Sequence, residues 1–307
     1  MNKLNIDFAF EGFRIVREKP LLIVFWGIVL LVGNALGLGL FFYLAWPGIQ
    51  SLITSGFPST EDPMAILNLM GQFVGPYFLL LLIMMIVQAV MACAVYRRVL
   101  GRPESSFGYI RFGGDELRMI AVMFVLGLLL GLINFGISLV GGVLSVVASS
   151  IIGTEGARLI FDLLTMVIYL YFVIRLSLAY VQCFDEKSFN LFGSWNLTKD
   201  VFGTLLGGYV LMVLLGLVVG LLCLVVFWVV AVIGLGGNLD LISQLGKQPS
   251  AAEITRILTI LAPWLGAYVV FLSLIVSPLV TAIFTGAPAA AYRQVVGASR
   301  RRADNVF

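Results

Sequence analysis

The stretch "FDEKSFNLFGSWNLTKDVFGTLLGGYVLMVLLG", Phe184 to Gly216, decides the fold. Its first half mixes charge, aromatics and small polar residues. Its second half is almost wholly apolar and runs on well past Gly216. Water solvates the first half and hydrocarbon suits the second, so the junction marks a point where the chain enters a bilayer. Working outward, the same contrast recurs along the whole sequence.

The chain has 307 residues, 61% hydrophobic and only 11% charged. Soluble domains carry about 25% charged residues. A water-soluble fold could not hide this apolar surplus, so much of it must face lipid. The net charge of +3 is too small to argue for nucleic acid as a partner. There is no His, which removes the commonest general base and the commonest zinc ligand. Cys93, Cys183 and Cys223 lie far apart in or beside apolar runs, with no C-x-x-C spacing. They are expected to be free thiols, with no disulfide, metal or cofactor. The first residues lack the compact apolar core and small-residue cleavage pattern of a signal peptide, so the first span is expected to act as its own insertion signal.

About 20 apolar residues cross a bilayer as a helix. Six such runs are predicted: Leu21–Trp46, Phe73–Tyr96, Arg118–Val147, Leu159–Phe184, Thr204–Leu235 and Leu258–Phe284. The expected fold class is an all-α integral membrane protein, residues 1–307 forming one polytopic domain. Orientation follows from Lys and Arg. Lys3, Arg14, Arg17 and Lys19 precede the first span. Arg97, Arg98, Arg102, Arg111 and Arg118 join the second to the third. Lys187 and Lys199 join the fourth to the fifth, and Arg293, Arg300, Arg301 and Arg302 follow the sixth. Only Arg158, Lys247 and Arg256 fall on the other side. Fifteen against three predicts both termini in the cytoplasm.

Three segments on that basic side resemble one another: "IDFAFEGFRIVREKP" (6–20), "SFGYIRFGGDELR" (106–118) and "SFNLFGSWNLTKD" (188–200). Each feeds an odd-numbered span. The chain therefore reads as three tandem hairpins, each preceded by an amphipathic helix lying in the headgroup plane. In the first segment Ile6, Ala9, Phe10, Phe13 and Val16 recur at helical spacing; in the third, Phe189, Phe192 and Trp195 lie three apart. The residues assigned to these interfacial elbows are Phe10, Phe13, Phe107, Phe192, Ser194, Trp195, Thr198 and Lys199. Pro20 suits the first turn of a span, where its missing N–H does no harm.

The stretch from Val173 to Leu215 carries Arg175-Leu176-Ser177 within a span, Asp185 or Glu186 about ten residues later, and Ser194-Trp195-Asn196-Leu197-Thr198-Lys199 entering the next span. This pattern resembles the bacterial family of multi-span membrane proteins related to the membrane domain of glycerophosphoryl diester phosphodiesterases, together with its stand-alone relatives. The resemblance covers roughly 45 residues of short motifs in apolar surroundings. It implies a six-helix inner-membrane protein. It does not imply phosphodiesterase activity, which belongs to a separate soluble barrel using His, carboxylates and a divalent metal.

Arg175 is the sharpest single signal. A central Arg costs about 2.5–3.5 kcal/mol on insertion scales. It is either an anion or lipid-phosphate contact, or a snorkelling side chain that finds headgroups, a carbonyl or a carboxylate. Tyr171 lies one turn earlier and is expected to stack against it. Asp162 sits roughly 20 Å away along the helix and cannot pair with it. Gln88 and Asn134 are candidates for hydrogen bonds between helices. Gly33/Gly37, Gly127/Gly131 and Gly216/Gly220 permit close helix approach, within the chain or in a dimer. Pro278 should kink the sixth span. Asp115 and Glu116 are adjacent, diverge by about 100° on a helix and make a poor catalytic pair.

Two functions remain open. One is a non-enzymatic membrane protein that organises or binds lipid or a membrane partner. The alternative is a transporter or flippase for a lipid-like or anionic solute. Membrane lipids, including anionic phospholipid, a second copy of the chain, or another membrane protein are the partners these readings admit.

Overall fold

The computed structural model describes residues 4–56, 62–103, 107–236 and 251–304. Lys3, Lys247 and the side chains of Arg256, Arg300, Arg301 and Arg302, used above for orientation, lie outside the described set. Among the described residues there is helix and no strand, and six helical stretches are long and apolar enough to cross a membrane: Pro20–Thr54, Pro63–Val99, Gly114–Ile152, Thr154–Asp185, Gly193–Gly234 and Thr259–Gly297. The chain is an all-α, multi-pass membrane protein.

The helices are α1 (Glu11–Glu18), α2 (Pro20–Ser55), α3 (Pro63–Val99), α4 (Gly114–Ile152), α5 (Thr154–Leu176), α6 (Ala179–Asp185), α7 (Gly193–Thr198), α8 (Phe202–Gly234), α9 (Ala251–Phe271) and α10 (Ser277–Asp304). Short 3₁₀ turns at Ile6–Phe10 and Lys199–Val201 lead into α1 and α8, and a π turn at Leu272–Val276 joins α9 to α10. Each candidate span exceeds its predicted apolar run. The 37 residues of α3 extend about 55 Å at 1.5 Å per residue, against about 30 Å of hydrocarbon. The helices must therefore continue into the headgroups or beyond.

The chain divides into two compact units. The first comprises Met1–Glu11, Gln88–Leu211 and Phe284–Phe307. Here nearly every residue of α3 from Ala89 to Val99 is buried, on all faces of the helix. Small side chains allow it: Ala89, Ala92, Cys93 and Ala94 on α3, with Ala287 and Ala289–Ala291 buried on α10. Arg293 of α10 donates to the Val99 carbonyl at 2.6 Å, capping the last turn of α3, and pairs with the buried Glu11 at 3.7 Å. By contrast α4 and α5 expose long apolar faces, among them Leu132, Leu139, Val146 and Leu163, as lipid contact requires. One residue, Gly153, joins these two helices. Its φ of 78° and ψ of 158° lie where only glycine is unstrained.

The second unit comprises Gly12–Val87 and Met212–Ile283. Gly33 packs on Val87 and Gly37 on Met84, so this glycine spacing serves the contact of α2 with α3. Gly127, Gly131 and Gly220 have nothing against them. At Gly27 the backbone of α2 meets Leu274, and a methyl on Gly27 would strike the Leu274 carbonyl oxygen. The cause lies four residues on. Pro278 has no N–H for the Leu274 carbonyl, the helix widens into the π turn, and the freed oxygen faces the bare Gly27 backbone. The kink expected at Pro278 is thus a π turn packed shut against α2. Pro20 opens α2 as expected.

Of the three segments expected to form amphipathic helices, the first is helical over Ile6–Glu18. It docks through Phe8, Ala9, Gly12 and Ile15, leaves Ile6 and Phe10 exposed, and half-buries Phe13. Phe8 packs on Gly208 and edge-on to Tyr209 at 5.9 Å. The second is not a helix. Residues 107–113 form turns and bends, and Phe107 is 69% exposed. Gly108 and Tyr109 both take positive φ, which ends any helix there. The third is helical only from Gly193; Phe189 and Phe192 stay exposed, while Leu191 joins a buried cluster with Val122 and Cys183.

Candidate functional site

Helix α5 stops at Leu176, one residue beyond Arg175. Ending a helix frees carbonyls that need new donors. Ser194, the second residue of α7 and fully buried, provides one. Its hydroxyl donates to the Arg175 carbonyl at 2.8 Å and accepts the Leu178 N–H at 3.2 Å. A single hydroxyl has one donor and two acceptor sites, so it spans the break between α5 and α6. Ser177 adds a second stitch, donating to the Ile174 carbonyl and accepting from the Tyr209 hydroxyl, both at 2.8 Å.

The Arg175 side chain folds into the same joint. Only 6% of the residue is exposed. Nη1 donates to Thr198 Oγ1 at 3.3 Å, while Thr198 Oγ1 donates to the Ser194 carbonyl at 2.9 Å. The guanidinium lies over the Trp195 ring at 4.4 Å from its centroid and near Tyr171 at 5.9 Å. Tyr171 meets Trp195 edge-on at 5.8 Å and Phe202 at 5.4 Å. Nε is buried without a partner, and no carboxylate pairs with Arg175 among the described residues. A buried cation normally has a counter-ion; here aromatic faces stand in its place.

The expected stacking of Tyr171 is present, and Arg175, Ser177, Ser194, Trp195 and Thr198 converge although up to 23 residues separate them. Trp195 is half-buried against Leu126, Leu176 and Ala179 as well as Arg175, so its ring turns towards protein rather than continuing the exposed stripe of Phe189 and Phe192. Lys199 is exposed and outside the joint. Asp162 is exposed beside Arg158 at 3.7 Å, apart from Arg175. Gln88 and Asn134 are exposed and make no side-chain hydrogen bond among the described residues. Cys93, Cys183 and Cys223 are free.

A second buried arginine escaped the sequence reading. Arg97, 4% exposed, ends α3. Nη2 meets Glu116 Oε1 at 2.5 Å and Asp115 Oδ2 at 3.6 Å, and Nη1 donates to the Tyr109 carbonyl at 3.0 Å. Glu116 also accepts the Gly113 N–H at 2.9 Å, capping α4. The two adjacent acids dismissed as a catalytic pair both serve as counter-ions to one cation. The available signal was an arginine placed directly after an apolar run, with two acids opening the next span.

No family model matches this chain, and neither a curated protein nor a solved structure is similar to it.

Proposed function

We propose that this chain is a non-enzymatic protein of a bacterial inner membrane, with both termini cytoplasmic, that binds anionic phospholipid and thereby organises lipid or a membrane partner. The observation that carries the reading is Arg175. It is a guanidinium held in an aromatic joint with its Nε unpartnered and no carboxylate beside it among the described residues. Such a cation attracts a phosphate oxygen more strongly in a water-poor setting than at an open surface. The rim fits a lipid-facing site, because Tyr171 is 42% exposed. The resemblance of the Arg175 to Lys199 region to the phosphodiesterase-related membrane family belongs to the same proposal.

Lipid-resolved native mass spectrometry of the wild type and Arg175→Leu in mild detergent tests it. The expected result is anionic phospholipid retained by the wild type and lost by the variant. Equal retention, or none in either, rejects Arg175 as a lipid contact.

A further inference from the structure

We infer that a second anion site, for a phosphate group, lies in the cavity between the α3–α4 connection and the segment after α6. The cavity holds about 160 Å³ and is lined by Arg97, Arg102, Pro103, Arg111, Asp115, Phe184 and Lys187. One water needs only about 10–15 Å³ by such a measure, so a tetrahedral oxyanion fits with its first waters.

The charges do not cancel. Arg97 at the buried floor is matched by Glu116 and Asp115, and Arg102 by Asp185 at 2.8 Å. Asp115, the one carboxylate in the wall, is also held by Arg118 at 3.3 Å. Arg111 and Lys187 have no carboxylate partner among the described residues, and both are exposed. The paired residues form a fixed lining, and these two cations remain uncommitted at the rim. Arginine and lysine with spare donors are the usual complement of a phosphate.

The backbone supplies an independent observation. Among the described residues only Tyr109 and Lys187 combine a side chain with positive φ, at 69° and 52°. One of them lines the cavity, and the other holds a residue that does. The Tyr109 carbonyl holds Arg97, and Lys187 lines the wall. Sparsely populated backbone conformations persist where the surroundings enforce them, and they gather at ligand sites. Glycine would serve either turn more easily, so the side chain at Lys187 is what the strained position presents.

The ligand is a phosphate group, carried by a lipid headgroup or by a soluble compound. The test uses the full chain in detergent and isothermal titration with two probes, inorganic phosphate and short-chain phosphatidic acid. Arg111→Gln/Lys187→Gln is compared with wild type, with Arg111→Gln alone, and with the charge-matched control Arg14→Gln/Arg17→Gln. Helical circular dichroism and gel-filtration position establish that each variant folds. The expected result is binding that weakens about tenfold or more in the double variant, less in the single variant, and not in the control. Binding of both probes assigns a soluble phosphate; binding of phosphatidic acid alone assigns a headgroup. Loss in Arg175→Leu with no loss in Arg111→Gln/Lys187→Gln would overturn the inference, as would equal binding by double variant and control, or no binding of either probe. Because Arg175 is not part of this cavity, the outcome is separate from that of the lipid experiment above.

Discussion

Arg97 and Arg175 are both almost wholly buried, and both end a membrane-spanning helix. Their surroundings differ in kind. Arg97 meets two carboxylates and a carbonyl; Arg175 meets a hydroxyl and aromatic faces. In the first site the charge is balanced internally and serves to lock α3 to α4. In the second no carboxylate among the described residues balances it, and aromatic faces and one hydroxyl hold it by weaker attraction. Burial alone therefore does not distinguish a structural ion pair from a candidate binding cation. The identity of the partner does.

The most severe way to break this comparison is Glu116→Ala. It strands Arg97 and uncaps α4, and loss of one partner of a buried pair costs about 3–5 kcal/mol. Unfolding in a mixed dodecyl maltoside and SDS titration should show a loss of that size. A loss near zero would mean that Asp115 replaces Glu116 completely. A smaller effect is expected of Ser194→Ala, which leaves the Leu178 N–H without its partner and removes a donor from the Arg175 carbonyl. Leaving a buried group unsatisfied costs about 1–3 kcal/mol, read in the same titration. If the loss is negligible, the break between α5 and α6 is held by something other than this hydroxyl.

The smallest stability effect is expected of Arg175→Leu. Removing that cation strands no carboxylate among the described residues, and forfeits cation–π contacts with Trp195 and Tyr171, each about 0.5–2 kcal/mol, and one long hydrogen bond. Should Arg175→Leu destabilise as much as Glu116→Ala, Arg175 is a structural keystone and the contrast collapses. A small stability loss joined to loss of bound anionic lipid would sharpen it.

The repeated segments show where sequence patterning carries and where it stops. The first segment is helical over Ile6–Glu18, but the face that docks is Phe8, Ala9, Gly12 and Ile15, which shares only Ala9 with the stripe read at Ile6, Ala9, Phe10, Phe13 and Val16. Gly12 and Gly208 decide that choice, because absent side chains invite close contact and periodicity counts only the side chains present. In the second segment Gly108 and Gly113-Gly114 outweighed the aromatic likeness to the other two. The Arg175-Leu176-Ser177 and Ser194-Trp195…Thr198 motifs were visible as residues, yet nothing in their spacing said that they meet.

Length and hydropathy by themselves determined six apolar helices long enough to cross a membrane, all of them found among the described residues. Hydrocarbon leaves backbone polar groups no partner but the helix, so an apolar run of sufficient length has one solution. Charge distribution along the sequence likewise sufficed for an expected orientation. What only the tertiary structure decided is the company each buried charge keeps. Glu116 reaches Arg97 across 19 residues, and Trp195 covers Arg175 across 20. Those meetings depend on where helices stop and how closely they pack. Pair interactions at that range fall within a few ångströms, and no one-dimensional pattern records them.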